Sequence, residues 1–260
     1  KSENHAMDIQ SLRAFEDNYI WLLREGRRVV VVDPGDEAPV LRYLAEEDAD
    51  LAAILLTHHH GDHTGGVAGL LARHPVPVFG PAGESIAGVS VPLREGDKIA
   101  LPDFHADLKV IDVPGHTRGH IAYYGEGALF CGDTLFACGC GRLFEGTAAQ
   151  MWSSLGKLAA LPPETGVYCA HEYTESNIRF ALAVEPGNAA LLTRAGRVAE
   201  LRRNLQQTVP FALAEELATN PFLRSAQPEV ARAAERHCGT ALPGATEVFA
   251  ALREWRNGFR

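Results

Sequence analysis

His58, His60, Asp62 and His63 fall within six residues, in the run Thr57-His58-His59-His60-Gly61-Asp62-His63. Neutral imidazole suits zinc, iron and related metals, and a carboxylate can ligate one ion or bridge two. The apolar run 51–56 precedes the cluster and reads as a buried strand. The cluster then stands on the loop leaving the C-terminal end of that strand, where open α/β sheets place their ligands. Side chains 58, 60 and 62 share a parity, so an extended stretch would send all three the same way. His63 breaks the parity and would face a second ion. A lone histidine in such a loop reads as a polar surface residue. Four ligand-type residues in this order read as a metal site, and two ions are expected.

Three more segments carry ligand-type residues at the ends of apolar runs. His116 follows 108–111 in Val113-Pro114-Gly115-His116-Thr117. Asp133 ends Leu129-Phe130-Cys131-Gly132-Asp133-Thr134, and His171 ends Val167-Tyr168-Cys169-Ala170-His171-Glu172. Strand ends gathered at one sheet edge would put all these side chains on a single rim. Two ions need that many protein ligands, with positions left for water. Asp33, after the run 29–32, reads as a turn residue or one that orients a ligand. His59 has the wrong parity for a ligand, and His120 reads as structural. His74, His105 and His237 read as surface residues.

The elements that must position these residues change in kind near residue 173. Before it, short β-rich runs at 20–23, 29–32, 52–56, 76–79, 108–111, 121–124, 128–131 and 167–169 alternate with Gly and Pro turns. Helices are expected at 38–47, 66–73 and 148–161. After residue 173 the pattern is almost wholly helical, with apolar positions at helical spacing across 189–207 and shorter helices at 229–238 and 246–256. Pro186-Gly187, Pro210, Pro221, Pro228 and Pro243-Gly244 punctuate them. The fold class is α+β: a β-sheet core flanked by helices, then a helical C-terminal domain. Residues 7–173 would form the first domain and 174–260 the second. Residues 1–6 read as foreign to the natural chain, with Met7 as its start.

The chain of 260 residues is 46% hydrophobic, enough for a sizeable core, and carries a formal charge of −9. An acidic protein is a poor non-specific binder of nucleic acid. The five cysteines are odd in number and show no repeated spacing, which argues against a disulfide framework. Cys131 and Cys169 read as small buried hydrophobes. No stretch is long enough to span a membrane, and no signal peptide is visible. A cytoplasmic, monomeric enzyme with no membrane or nucleic-acid partner is expected.

The set T-H-x-H-x-D-H, P-G-H-T, G-D-T and A-H-E resembles the metallo-β-lactamase superfamily of binuclear hydrolases. Phe15-Glu16-Asp17-Asn18-Tyr19-Ile20-Trp21, Cys140-Gly141-Arg142-Leu143-Phe144-Glu145-Gly146, Thr219-Asn220-Pro221-Phe222-Leu223-Arg224 and the C-terminal Leu252-Arg253-x-Trp255-Arg256-Asn257 narrow it. Together they resemble glyoxalase II, the hydroxyacylglutathione hydrolases, over nearly the whole chain from Met7. The resemblance implies a four-layered αββα sandwich with a helical C-terminal domain. It implies two divalent metal ions, zinc first, with iron or manganese as alternatives. His58, His60 and His116 would bind one ion, Asp62, His63 and His171 the other, and Asp133 would bridge them. Arg142, Phe144, Tyr173, Arg253 and Arg256 would contact glutathione. The family often has Lys at the positions of Arg142 and Arg256, and many members have Tyr at that of Phe144. Charge is kept at the first two, though hydrogen-bonding geometry differs; a hydroxyl is lost at the third. Spacing alone would make Arg253 and Arg256 a solvated helix face.

The implied reaction is hydrolysis of S-D-lactoylglutathione to D-lactate and glutathione, the second step of methylglyoxal detoxification. A bound metal lowers the pKa of water from about 15.7 to about 7, so hydroxide is available as nucleophile at neutral pH. Asp62 and Asp133 would carry the catalytic weight, Asp62 both ligating and orienting the hydroxide. A thiolate leaves readily, so no dedicated general acid is needed. Other members of the superfamily are the rivals: a lactonase, a β-lactamase, or a glutathione persulfide dioxygenase with a single iron. His63 directly after Asp62 counts against a β-lactamase, and the helical C-terminal domain against the dioxygenase. A non-enzymatic metal-binding protein would leave so complete a ligand set without a use.

Overall fold

The computed structural model describes residues 8–101, 104 and 107–259. The expectations for residues 1–6, Met7 and His105 lie outside the described residues. The chain forms two compact units. One runs to Asp112 and includes Arg118–Gly132; the other joins Val113–Thr117 to the residues from Asp133 onward.

In the first unit, strands Asp8–Ala14, Asn18–Glu25, Arg28–Val32, Asp50–Leu55, Val78–Pro81 and Val91–Leu93 form a sheet in sequence order. The first three pair antiparallel and the rest parallel. Val29, Val30, Val31 and Val32 are all buried, as are Ile54 and Leu55. Strands covered on both faces read as continuous β-branched runs, which is why the sequence reveals them. Asp8–Ala14 was not expected. It lies at the sheet edge, mixes polar and apolar residues without a strict alternation, and is mostly half-exposed. Helix Glu37–Glu46 is capped by Asp36, whose side chain accepts from the N–H of Ala38 at 2.9 Å. It turns Val40 and Leu44 onto Ile20, Leu22, Val31 and Ile54 in the core. Strands Lys98–Ala100, Asp107–Asp112, Ile121–Gly125 and Ala128–Gly132 form a second, antiparallel run in this unit.

Leaving Asp50–Leu55, the chain does not stay extended through the histidine cluster. Gly61–Thr64 is one helical turn, with the N–H groups of His63 and Thr64 both donating to the carbonyl of His60 at 3.0 and 3.1 Å. The parity argument therefore fails beyond His60. Asp62 and His63 are aimed by a helical turn, where successive side chains diverge by about 100°.

In the second unit, the two-residue strands Leu135–Phe136 and Gly139–Cys140 form a small hairpin. Helix Ala148–Ala159 opens on a capping box between Thr147 and Gln150. Strand Gly166–Cys169 pairs with Phe211–Ala212. Helices Thr174–Val184, Ala189–Arg203, Leu213–Thr219, Pro228–Cys238 and Ala245–Gly258 follow. A buried polar cluster fixes the hairpin. Glu216, fully buried, pairs with the equally buried Arg194 and accepts from the N–H of Cys138 at 2.9 Å and from Asn220 Nδ2 at 2.8 Å. Asn220 Nδ2 also reaches the carbonyls of Phe136 and Gly139. All five cysteines are free; Cys131, Cys138, Cys140 and Cys169 are buried and Cys238 is exposed. Among the described residues, no helix is long and apolar enough to cross a membrane.

Candidate metal centre

The first unit supplies His58, His60, Asp62 and His63 on a tightly specified loop. Asp33, 3% exposed, anchors it. Its Oδ1 accepts from the N–H of Thr57 at 2.8 Å; its Oδ2 accepts from the Thr57 hydroxyl at 2.7 Å and from His63 Nδ1 at 3.0 Å. The Thr57 hydroxyl, having donated to Asp33, faces His58 Nδ1 at 3.0 Å and accepts from it. The partners thus put the proton of both rings on Nδ1 and leave Nε2 as a lone pair. His63 Nε2 lies 3.5 Å from Asp62 Oδ2, and His58 Nε2 lies 3.1 Å from His60 Nδ1. A cation between such a lone pair and a carboxylate oxygen would relieve their repulsion, and this donor set fits a divalent metal.

Neighbouring residues hold the loop in place. Asn18 Nδ2 donates to Asp62 Oδ2 at 3.0 Å, orienting that carboxylate. His120 is fully buried and stacks on His58, with ring centroids 4.5 Å apart. His59 pairs with Glu84 at 2.8 Å, and Glu84 also accepts from the N–H of Gly119 at 3.1 Å. Gly132 has φ +48°, and a Cβ there would sit 2.4 Å from the Thr57 hydroxyl, so no other residue fits.

The second unit supplies His116, Asp133 and His171. His116 Nδ1 donates to the carbonyl of Arg142 at 2.8 Å, so its Nε2 is again the bare nitrogen, 3.4 Å from Asp133 Oδ2. His171 Nε2 lies 3.3 Å from Asp133 Oδ1. One carboxylate therefore presents one oxygen to each of two imidazoles. Gly141 permits this approach, because a Cβ there would lie 2.0 Å from the Asp133 carbonyl and 3.2 Å from His116 Nδ1. The Ser154 hydroxyl ties down the turn before His116 by donating to the carbonyl of Pro114 at 2.8 Å. Each of the seven residues expected as ligands belongs to a group of His and Asp side chains able to hold a metal ion.

The residues expected to meet glutathione all lie in this second unit. Tyr173 stacks flat on His171, centroids 4.7 Å apart and planes 3° apart. Phe144 is 63% exposed and stands edge-on to His116 at 5.2 Å. Arg142 is exposed. Arg253 and Arg256 are both on Ala245–Gly258, yet they do not form a solvated face. Arg253 is 6% exposed and donates to the carbonyl of Cys140 at 2.7 Å. Arg256 is half-buried and reaches Ser176 Oγ at 3.1 Å and Asn177 Oδ1 at 3.3 Å. Burial, then the positive charges of Arg253, Arg142 and Arg179, push the Arg256 guanidinium below its usual pKa. Asn18 and Thr57 stand inside motifs the sequence shows but receive no role there, and Ser176, Asn177 and Arg179 are not singled out at all. None has ligand chemistry, and an exposed helical arginine carries no signal of its own.

Two family models divide the chain between them. Residues 14–171 match the metallo-beta-lactamase superfamily, and 172–259 match the hydroxyacylglutathione hydrolase C-terminus. A protein of Cupriavidus taiwanensis named hydroxyacylglutathione hydrolase is 57% identical over 98% of this chain and 100% of its own. One of Nitrosomonas europaea with the same name is 51% identical over 98% of this chain and 97% of its own. Among solved structures, ETHE1 from Myxococcus xanthus matches with a TM-score of 0.66 at 27% identity, over 98% of this chain and 100% of that one. A di-iron-bound form of TTHA1623 matches with a TM-score of 0.53 at 31% identity, over 63% of this chain and 91% of that one. The expected α+β fold, a metallo-β-lactamase fold followed by a helical C-terminal domain, is the one found. With paired imidazoles and carboxylates suited to a divalent metal, this chain belongs to the hydroxyacylglutathione hydrolase, or glyoxalase II, family of the metallo-β-lactamase superfamily.

Proposed function

We propose that this protein hydrolyses S-D-lactoylglutathione and related 2-hydroxyacylglutathiones to the hydroxy acid and glutathione, as a monomer in the cytoplasm, completing methylglyoxal detoxification. Relatives at 50–57% identity over nearly their full length carry the name of this activity, which does not favour a dioxygenase or a lactonase. In this reading His58, His60 and His116 hold one divalent ion and Asp62, His63 and His171 a second, with Asp133 shared. Zinc is the first candidate, then iron or manganese. The single observation that carries it is the Asp133 carboxylate, one oxygen toward His116 Nε2 and the other toward His171 Nε2. A carboxylate so disposed is suited to bridging two ions.

Divalent ions held by these residues would supply hydroxide at neutral pH and Lewis-acid stabilisation of charge on the thioester oxygen. The chain's own residues do the rest. Asp33 and Thr57 hold His63 and His58 with their Nε2 atoms bare, so neither ring must change tautomer to ligate. Asn18 donates to Asp62 Oδ2, the oxygen that faces His63 Nε2, and so orients the carboxylate that would ligate or accept a proton from water. The leaving thiol has a pKa of about 8.5 in free form, so it departs as thiolate without a general acid. Residues 7–173 then make the metal-binding domain and 174–260 a helical domain for the glutathione part. With a charge of −9, nucleic acid is not an expected partner.

The test is steady-state hydrolysis of S-D-lactoylglutathione by protein whose metal content has been measured. Turnover that disappears on chelation and returns with divalent metal supports the reading. Protein holding two metals per chain with no turnover overturns it.

A further inference from the structure

Arg256 lies among positive charges. Burial, and after it the charges of Arg253, Arg142 and Arg179, hold its pKa below the ordinary value. None of these four arginines has an ion pair with a carboxylate among the described residues, whereas Arg194, Arg197, Arg202 and Arg224 in the same unit all do. Arg256 Nη2 is held by Ser176 Oγ and Asn177 Oδ1. Those residues open the helix Thr174–Val184, and Arg179 stands three residues beyond Ser176. Residues three apart share a helix face, so the Arg179 side chain emerges beside the group that Arg256 grips. Arg253 is buried and donates to the Cys140 carbonyl. Arg179 and Arg142 are exposed, so their guanidinium groups are open to a ligand. Like charges gathered without a carboxylate partner destabilise one another until an anion joins them.

We propose that Arg179 is a further cation of the substrate site, adding to the expected contacts of Arg142 and Arg256 a hold on one carboxylate of the glutathione moiety. Arg179 is a specificity residue here and takes no part in the chemistry. The inference rests on the glutathione-thioester reading above.

The experiment measures KM and kcat of the metal-loaded enzyme for S-D-lactoylglutathione and for two analogues. One analogue has the glycyl carboxylate as an ethyl ester; the other has the γ-glutamyl α-carboxylate as an amide. Wild type, Arg179→Gln and Arg232→Gln are compared, the last an exposed arginine on Pro228–Cys238 that removes the same charge elsewhere. The expected result is a KM about three- to tenfold higher for Arg179→Gln with kcat unchanged, and no change for Arg232→Gln. Blocking the gripped carboxylate should then raise KM less in Arg179→Gln than in wild type, and added salt should narrow the gap. The proposal is overturned if neither blocked analogue shows that coupling, or if Arg232→Gln matches Arg179→Gln. Absence of turnover in wild type would instead overturn the thioesterase reading.

Discussion

The carboxylate of Asp33 meets the Nδ1 of His63 at 3.0 Å, with both side chains almost wholly out of water. That contact fixes which nitrogen of His63 is available to a metal. Asp33→Asn keeps the shape but presents an amide, whose N–H would push the ring toward the opposite tautomer and block Nε2. The expected outcome is a metal affinity weakened about 10- to 100-fold, with activity largely restored by excess metal. A chelator-competition titration reads this. Unchanged affinity would mean that Asp33 serves Thr57 alone.

Much of the candidate site was legible in the sequence, because its His and Asp side chains able to hold a metal follow buried strands. Val29–Val32 and the run before Thr57 are apolar throughout, and a ligand just beyond such a run has its direction set by the sheet. Aim was harder to read than place. Gly61–Thr64 is a single turn of helix, too short to carry a period, so the extended reading of Asp62 was wrong. The edge strand Asp8–Ala14 was hidden by its half-exposed, mixed composition. Leu135–Phe136 and Gly139–Cys140 are too short for any pattern. The pairing of Arg194 with Glu216 joins two helices and leaves no local trace. A sequence can show that Arg253 is three residues from Arg256, but not that one is buried against Cys140 while the other is half-buried against Ser176 and Asn177.

The cysteines should separate by reactivity. Burial pushes the Cys138 thiol up to about 12 and raises Cys140 as well, partly offset there by Arg253. At pH 8 a thiol of pKa about 12 is thiolate only about one part in ten thousand, and alkylation needs the thiolate. Cys131 and Cys169 are buried too, leaving Cys238 exposed. Brief iodoacetamide treatment of the native protein should add one label, at Cys238, with activity kept; unfolding should expose all five thiols. Rapid native labelling at Cys138 or Cys140, seen by peptide mass spectrometry, would contradict the packing of the hairpin.

Glu216 should be among the costliest residues to truncate in the helical segment. Its removal leaves the buried Arg194 charge without its closest partner and the N–H of Cys138 without an acceptor. Breaking such a pair costs about 3–5 kcal/mol, while replacing both members by apolar groups is far milder. Glu216→Ala is therefore expected to lose that much in urea unfolding. Arg194→Met/Glu216→Met should recover most of it, short of the roughly 1–3 kcal/mol for the orphaned N–H. Equal losses in the single and double variants would show that the hydrogen bonds to Cys138 and Asn220 matter more than the charge pair.

Arg253 and Arg256 should fail in different ways when truncated. Arg253→Ala removes the donor to the Cys140 carbonyl and the cation over the Phe222 ring, 5.2 Å from its centre. Leaving that carbonyl unmet costs about 1–3 kcal/mol, so the expected signature is a lower melting temperature together with a disturbed site. Arg256→Ala gives up contacts to Ser176 and Asn177, which sit at a less buried place. It also relieves repulsion among the clustered arginines, so its effect on stability should be small. A charge-assisted contact to a substrate carboxylate is worth about 1.5–3 kcal/mol, so KM should rise about tenfold or more while kcat changes little, the pattern of lost ground-state binding. Thermal melts and steady-state kinetics on the two single variants separate these cases. A large stability loss in Arg256→Ala with KM unchanged would make Arg256 a packing residue and remove it from the glutathione site.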